Sequence, residues 1–130
     1  MSLLDMGLND AALEPKNIPV GEQKLVVTKA EIVASKKNTQ QIVVSLTLES
    51  GGNYWPIRKY FPLEGDDEQM ITYRRMLKEF CSAFSVPVKK NGSVDTEDMV
   101  GCSAWCFTKN DPYEGQDKTV IEKYVRIAGK

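Results

Sequence analysis

The stretch Gln40–Glu49, Gln-Gln-Ile-Val-Val-Ser-Leu-Thr-Leu-Glu, constrains the fold more than any other part of the chain. Ile42, Val44, Leu46 and Leu48 fall at every second position. A strand puts all four on one face and leaves Gln41, Val43, Ser45 and Thr47 on the other. A helix would scatter them around its circumference. Ser50-Gly51-Gly52-Asn53 follows, and glycine can take the positive φ that a tight hairpin turn needs. The chain therefore contains a half-buried antiparallel sheet.

Two more strands are expected around this one. Gln23–Ala34 is long for a strand, and its alternation slips between Val27 and Ile32, which predicts a bulge or a strong bend. Ser35-Lys36-Lys37-Asn38-Thr39 is a basic turn. Tyr54–Phe61 is a third strand interrupted by Pro56, which argues for an edge or a bulge. Its alternation groups Tyr54, Arg58 and Tyr60 on one face and Trp55, Ile57, Lys59 and Phe61 on the other.

The period then changes. Met70, Tyr73, Leu77, Phe80 or Cys81, and Phe84 recur every three or four residues, predicting an amphipathic helix over Asp66–Phe84. Asp66, Asp67 and Glu68 suit its N-terminal end. Asp95–Val100 reads as a helical turn, Cys102–Lys109 as a fourth strand, Asn110–Asp117 as a turn and Lys118–Ile127 as a fifth strand. The order β-β-β-α-β-β is that of the OB fold, a five-stranded Greek-key barrel with its helix between strands three and four. A different small α+β sandwich is the competing architecture. Residues 1–22 form an acidic lead-in, with a short helical turn near Leu3–Leu13, and residues 23–130 form the barrel domain.

At 130 residues and 42% hydrophobic, the chain holds one domain with a real core. No apolar run approaches the roughly 20 residues of a membrane-spanning helix. Met1–Gly7 lacks the basic-then-apolar pattern of a secretory signal. A cytoplasmic protein that makes no membrane contact is the expectation.

Three cysteines (Cys81, Cys102, Cys106) and no histidine do not make a tetrahedral metal site, so small buried apolar side chains are expected there. The lack of imidazole also weighs against acid–base catalysis near neutral pH. Asp95, Glu97 and Asp98 could serve a metal-dependent nuclease, but they fit the cap of a short helical turn better. A binding protein with no enzymatic activity, metal or cofactor is the reading.

The formal net charge of −1 hides strong local differences. Residues 1–22 carry −3, residues 23–60 carry +4, residues 61–70 carry −4 and residues 71–90 carry +4. The positive segments also hold the aromatic residues. Bases stack on exposed aromatic faces for roughly 1–3 kcal/mol each while lysine and arginine hold phosphates. The candidate nucleic-acid contacts are Lys29, Lys36, Lys37, Tyr54, Arg58, Lys59, Tyr60, Trp105, Phe107, Lys109, Tyr124 and Arg126. Trp105 and Phe107 have two open placements, core or surface. The small residues opposite them (Cys102, Ala104, Cys106) suit a crowded interior and so favour the surface.

Several segments in this order resemble a family of short bacteriophage proteins of the replication and recombination cluster. They are Ile18-Pro19-Val20-Gly21-Glu22 before the long first strand, the Val43–Gly52 strand and turn, Asp95–Gly101, and Tyr113-Glu114-Gly115. The resemblance spans roughly residues 15–127. It implies an OB fold that coats single-stranded DNA with little sequence preference. Such proteins often end in an acidic partner-recruiting tail, whereas this sequence closes on Ala128-Gly129-Lys130, so any docking segment is expected at Asp5, Asp10 and Glu14. The expected partners are single-stranded DNA (stacking and phosphate contacts also accept RNA), replication or recombination proteins, and a second copy of the chain. The alternative function is a protein-interaction or assembly module on an OB-like barrel, for which the near-zero net charge speaks.

Overall fold

The computed structural model describes residues 14–36, 38–113 and 116–125, with backbone only at 113 and 116. The expectations for Leu3–Leu13, Asp5, Asp10, Lys37, Glu114, Gly115 and Arg126 lie outside the described residues. Five strands form one antiparallel sheet: β1 (Gly21–Ala34), β2 (Gln40–Leu48), β3 (Ile57–Pro62), β4 (Ser103–Tyr113) and β5 (Gln116–Tyr124). Helix α1 (Asp67–Phe84) and the single turn α2 (Thr96–Met99) lie between β3 and β4. Strand order across the sheet is β3-β2-β1-β4-β5. The sheet is open, because no ladder joins β3 to β5.

β2 behaves as its alternation requires. Ile42, Val44, Leu46 and Leu48 are buried, and the intervening side chains face outward, half-covered. β1 serves both halves of the sheet. Its first part, Gly21–Val26, pairs with β4, and Leu25–Ala34 pairs with β2. At the changeover Val27 opposes Leu46 while Lys29 opposes Ser45, so Thr28 is an extra residue. This bulge realises the slip seen in the sequence. It turns Leu25 and Val27 inward before it and Ala30 inward after it.

α1 starts where its acidic residues imply. The Asp66 side chain accepts from Gln69 N–H at 2.8 Å, and Gln69 Oε1 accepts from Asp66 N–H at 3.0 Å, a reciprocal capping box. Ser85 ends it in the left-handed region at φ 55. The buried stripe is Phe80, Cys81 and Phe84. Phe80 meets Phe61 of β3 at 5.1 Å between ring centroids and stacks on Phe84 at 4.5 Å. Both helix rings meet Tyr124 of β5 edge-on, at 6.3 and 6.0 Å. The helix thus ties the two outer strands together across the gap in the sheet.

At the other end of that gap the tie is polar. Lys16 pairs in parallel with Tyr54, donating to Asn53 O at 3.1 Å and accepting from Trp55 N–H at 2.9 Å. Asn17 Nδ2 donates to Asp117 O at 3.0 Å. Thr119 Oγ1, in β5, donates to Ile18 O at 2.7 Å, and Thr108 Oγ1, in β4, donates to Pro19 O at 2.8 Å. Ile18 itself is fully buried in the core. The stretch from Lys16 to Gly21 is therefore an integral part of the barrel-like sheet, and the lead-in described by the sequence merges into the fold before residue 22.

Two boundaries differ from the sequence reading. β3 begins only at Ile57, because Pro56 cannot donate to a ladder. The β4–β5 hairpin runs out to Tyr113 and Gln116, although the Pro/Gly content of 110–117 read as a turn. β1 accompanies β4 only as far as Thr108, so Pro112 sits where its missing N–H costs no bond to that side.

Two variants separate the two ties. Phe80→Ala opens a cavity between α1, β3 and β5 and is expected to cost about 3–5 kcal/mol in urea denaturation. Thr119→Val keeps the volume but leaves the Ile18 carbonyl buried without its partner, with an expected loss of about 1–3 kcal/mol.

Candidate functional site

The outward face of β3 carries Arg58 and Tyr60, both exposed. They look across the gap towards the start of β5. A groove of about 1120 Å³ runs along this seam, lined by Glu14 to Asn17, Trp55, Pro56, Arg58, Tyr60 and Asp117 to Thr119. Trp55 is 50% and Tyr60 45% exposed, and each offers ring surface to the groove. Lys16, Arg58 and Lys118 supply cations, set against Glu14 and Asp117. Two aromatic platforms between cations form a site that can hold a planar, anionic chain.

Trp55 was grouped with the buried face by strict alternation, and Tyr54 with the exposed one. The structure inverts both. Residues 54–56 precede the ladder of β3, and their orientation is set by the bridge to Lys16. Tyr54 is half-buried against the core and lies over Gly52. Gly52 has φ +111, and a Cβ there would fall 2.5 Å from Tyr54 Cε2, so only glycine allows the ring to tuck in. Lys16 and Lys118 were not singled out from the sequence. Their role follows from the segment crossing the seam, which no local pattern announces. The Trp55-Pro56 pair did carry a signal, since a residue before proline leaves the ladder and its alternation.

Further candidates extend this site in one direction. Lys29 lies two strands across from Arg58, through Ser45. Lys109, on the exposed face of β4, pairs with Val120 beside Lys118. Lys36 is exposed in the β1–β2 turn. Lys29, Arg58, Lys118 and Lys109 thus form a cationic band on either side of the groove.

Two candidates belong to the inner side instead. Lys59 alternates with Arg58 and points towards α1, beside Glu79, Phe61 and Tyr124. Burial lowers its ammonium below the usual lysine range. Tyr124 is the second, and a bulge is the cause. Phe107 opposes Lys123 while Thr108 opposes Ile121, so Glu122 is an extra residue on β5. The extra residue flips the alternation, so Tyr124 joins Ile121 on the core side, where it packs on Phe80 and Phe84. Burial holds its phenol well above the ordinary value.

Trp105 and Phe107 are on the outside, as their small neighbours suggested. Trp105 is 50% exposed, and Phe107 is half-covered by Lys123, whose Nζ lies 5.1 Å from the ring centroid. They lie at the other end of the sheet from Tyr60. Trp105 pairs with Lys24 on β1, whereas Tyr60 aligns through Val43 with Glu31. Seven positions at about 3.3 Å each put the two aromatic groups on the order of 20 Å apart along the strands.

Cys81 and Cys106 are buried, with their thiols pushed up to about 11 and about 12 by burial. Cys102 is half-buried and donates to Asp98 O. Asp95 caps α2 by accepting from Glu97 N–H at 3.0 Å. Among the described residues no cluster of His, Cys, Asp or Glu has the arrangement of a metal site, and no helix is long and apolar enough to cross a membrane. In comparisons with known proteins, the chain matches no family model and no curated protein.

Thiol labelling checks this part of the description. A raised pKa means less thiolate at a given pH, so at pH 8 the folded chain is expected to react first and slowly at Cys102. Cys81 and Cys106 are expected to label only on unfolding, as quantified by mass spectrometry.

Proposed function

We propose that this chain binds single-stranded nucleic acid, DNA before RNA, with little sequence preference and without catalysing a reaction. The observation that carries the reading is the groove at the β3–β5 seam, where Trp55 and Tyr60 stand between Lys16, Arg58 and Lys118. Aromatic faces take any base, and cations track the phosphates, so such a groove discriminates strand from duplex more than sequence from sequence.

The strand order supports the same reading. An OB barrel unrolled between its third and fifth strands has the order β3-β2-β1-β4-β5, with the first strand shared between halves. β3 and β5 approach within 8 Å between Cα atoms. We take the fold as an OB barrel whose last seam is packed rather than hydrogen-bonded. The resemblance to phage replication and recombination proteins fits this assignment, and a host-cell cytoplasmic setting goes with it. Lys29, Lys36 and Lys109 extend the phosphate path, while Lys59 and Tyr124 serve the core.

The test is a tryptophan-fluorescence titration with oligo-dT, with duplex of equal length as control and a series of salt concentrations. Oligo-dT is expected to quench and duplex is not. Quenching is expected to persist in Trp105→Phe and to fall away in Trp55→Phe. Tyr60→Ala is expected to weaken binding by roughly 5- to 150-fold, the equivalent of one lost stacking contact of about 1–3 kcal/mol. Arg58→Ala is expected to flatten the slope of log K against log salt by about 0.7. Equal affinity for duplex, or quenching that survives Trp55→Phe, would overturn the assignment of the groove.

A further inference from the structure

A second aromatic surface remains outside the groove. On the outward face where β1, β4 and β5 run together, Trp105 is 50% and Val125 41% exposed, beside the half-covered ring of Phe107. Cross-strand pairing places these residues in two rows. Lys24 lies beside Trp105, whose carbonyl accepts from Val125 N–H at 3.0 Å. Glu22, Phe107 and Lys123 form the neighbouring row, with the acid and the base on opposite sides of the ring.

The charge pattern rules on what this face suits. Lys24 is already paired with Glu49 at 3.3 Å, and the Glu49 carboxyl is held below its ordinary value by a Ser103 hydrogen bond and by Lys24. Glu22 and Lys123 offset each other. With no cation in surplus, the face has nothing to offer a phosphate backbone. It is instead self-complementary. A two-fold axis parallel to β4 exchanges the β1 side with the β5 side, stacking Trp105 and Phe107 on their own copies and bringing each acid over a base.

We propose that two copies of this chain pair through this face, with Glu22 of one protomer against Lys123 of the partner subunit and the rings of Trp105 and Phe107 at the centre. An apolar aromatic centre with a charged rim is the usual make-up of an isologous contact. The groove at Trp55 and Tyr60 lies at the far end of the strands and stays open in such a dimer. This inference stands independently of what the groove binds.

The test is sedimentation velocity on the full chain up to about 100 µM, a range that detects even weak self-association. The wild type is expected to shift with concentration towards twice 14.6 kDa. Glu22→Lys and Lys123→Glu, each placing like charges face to face, are expected to weaken dimerisation at least about tenfold. The double variant, with the charges exchanged, is expected to return close to wild type. Trp105→Ala is expected to be monomeric while its far-ultraviolet circular dichroism and its oligo-dT affinity remain those of the wild type. A monomer at every concentration would overturn the proposal. So would a dimer indifferent to the single charge reversals, or a double variant as weak as the singles.

Discussion

The fold depends on how a sheet that never closes by hydrogen bonding is kept curled. Its two outer strands, β3 and β5, share no ladder, yet they are held together at both ends. One tie is the ring cluster of Phe61, Phe80, Phe84 and Tyr124, with α1 as its middle. The other is the extended segment from Lys16 to Pro19, hydrogen-bonded to the approach to β3 on one side and to Thr108 and Thr119 on the other. The first tie is mainly apolar contact, with aromatic pairs adding about 0.5–1.5 kcal/mol each beyond burial. The second rests on buried carbonyls that would be costly to leave unpaired. Between the two lies the groove, so the elements that shape the fold also shape the site.

Two extra residues decide which side chains reach the surface. Thr28 on β1 marks the change of partner from β4 to β2 and gives the long strand its bend. Glu122 on β5 sends Tyr124 inward and leaves Lys123 outside over Phe107. Because the period of a strand is two, each insertion reassigns every residue beyond it. The core gains a tyrosine by this device, and the outer face keeps a lysine.

The parts legible in the sequence were those fixed locally. The buried face of β2, the capped start of α1, the break in β1 and the acidic turn of α2 each follow from residues within a few positions of one another. What stayed hidden was set by partners far along the chain. The Glu122 bulge exists only relative to β4, so alternation alone put Tyr124 on the wrong side. Trp55 and Tyr54 changed places because Pro56 released them from the ladder and Lys16, nearly forty positions earlier, fixed them anew. Arg58 and Tyr60 were read correctly because they lie inside an unbroken stretch of β3. Lys16 and Lys118 join them only through the seam, and composition could show no more than that cations were present.

A sheet whose ends meet without bonding behaves as a split ring. Widening it bends the strands at Thr28 and Glu122 and slides Tyr124 over the helix rings, and no rung of any ladder has to break. The stiffness of the groove is therefore governed by side-chain packing, which yields gradually, and not by backbone pairing, which fails all at once. The walls carrying Tyr60 and Lys118 have the compliance to close on a thin occupant and spread for a thick one, while the strands behind them keep their register.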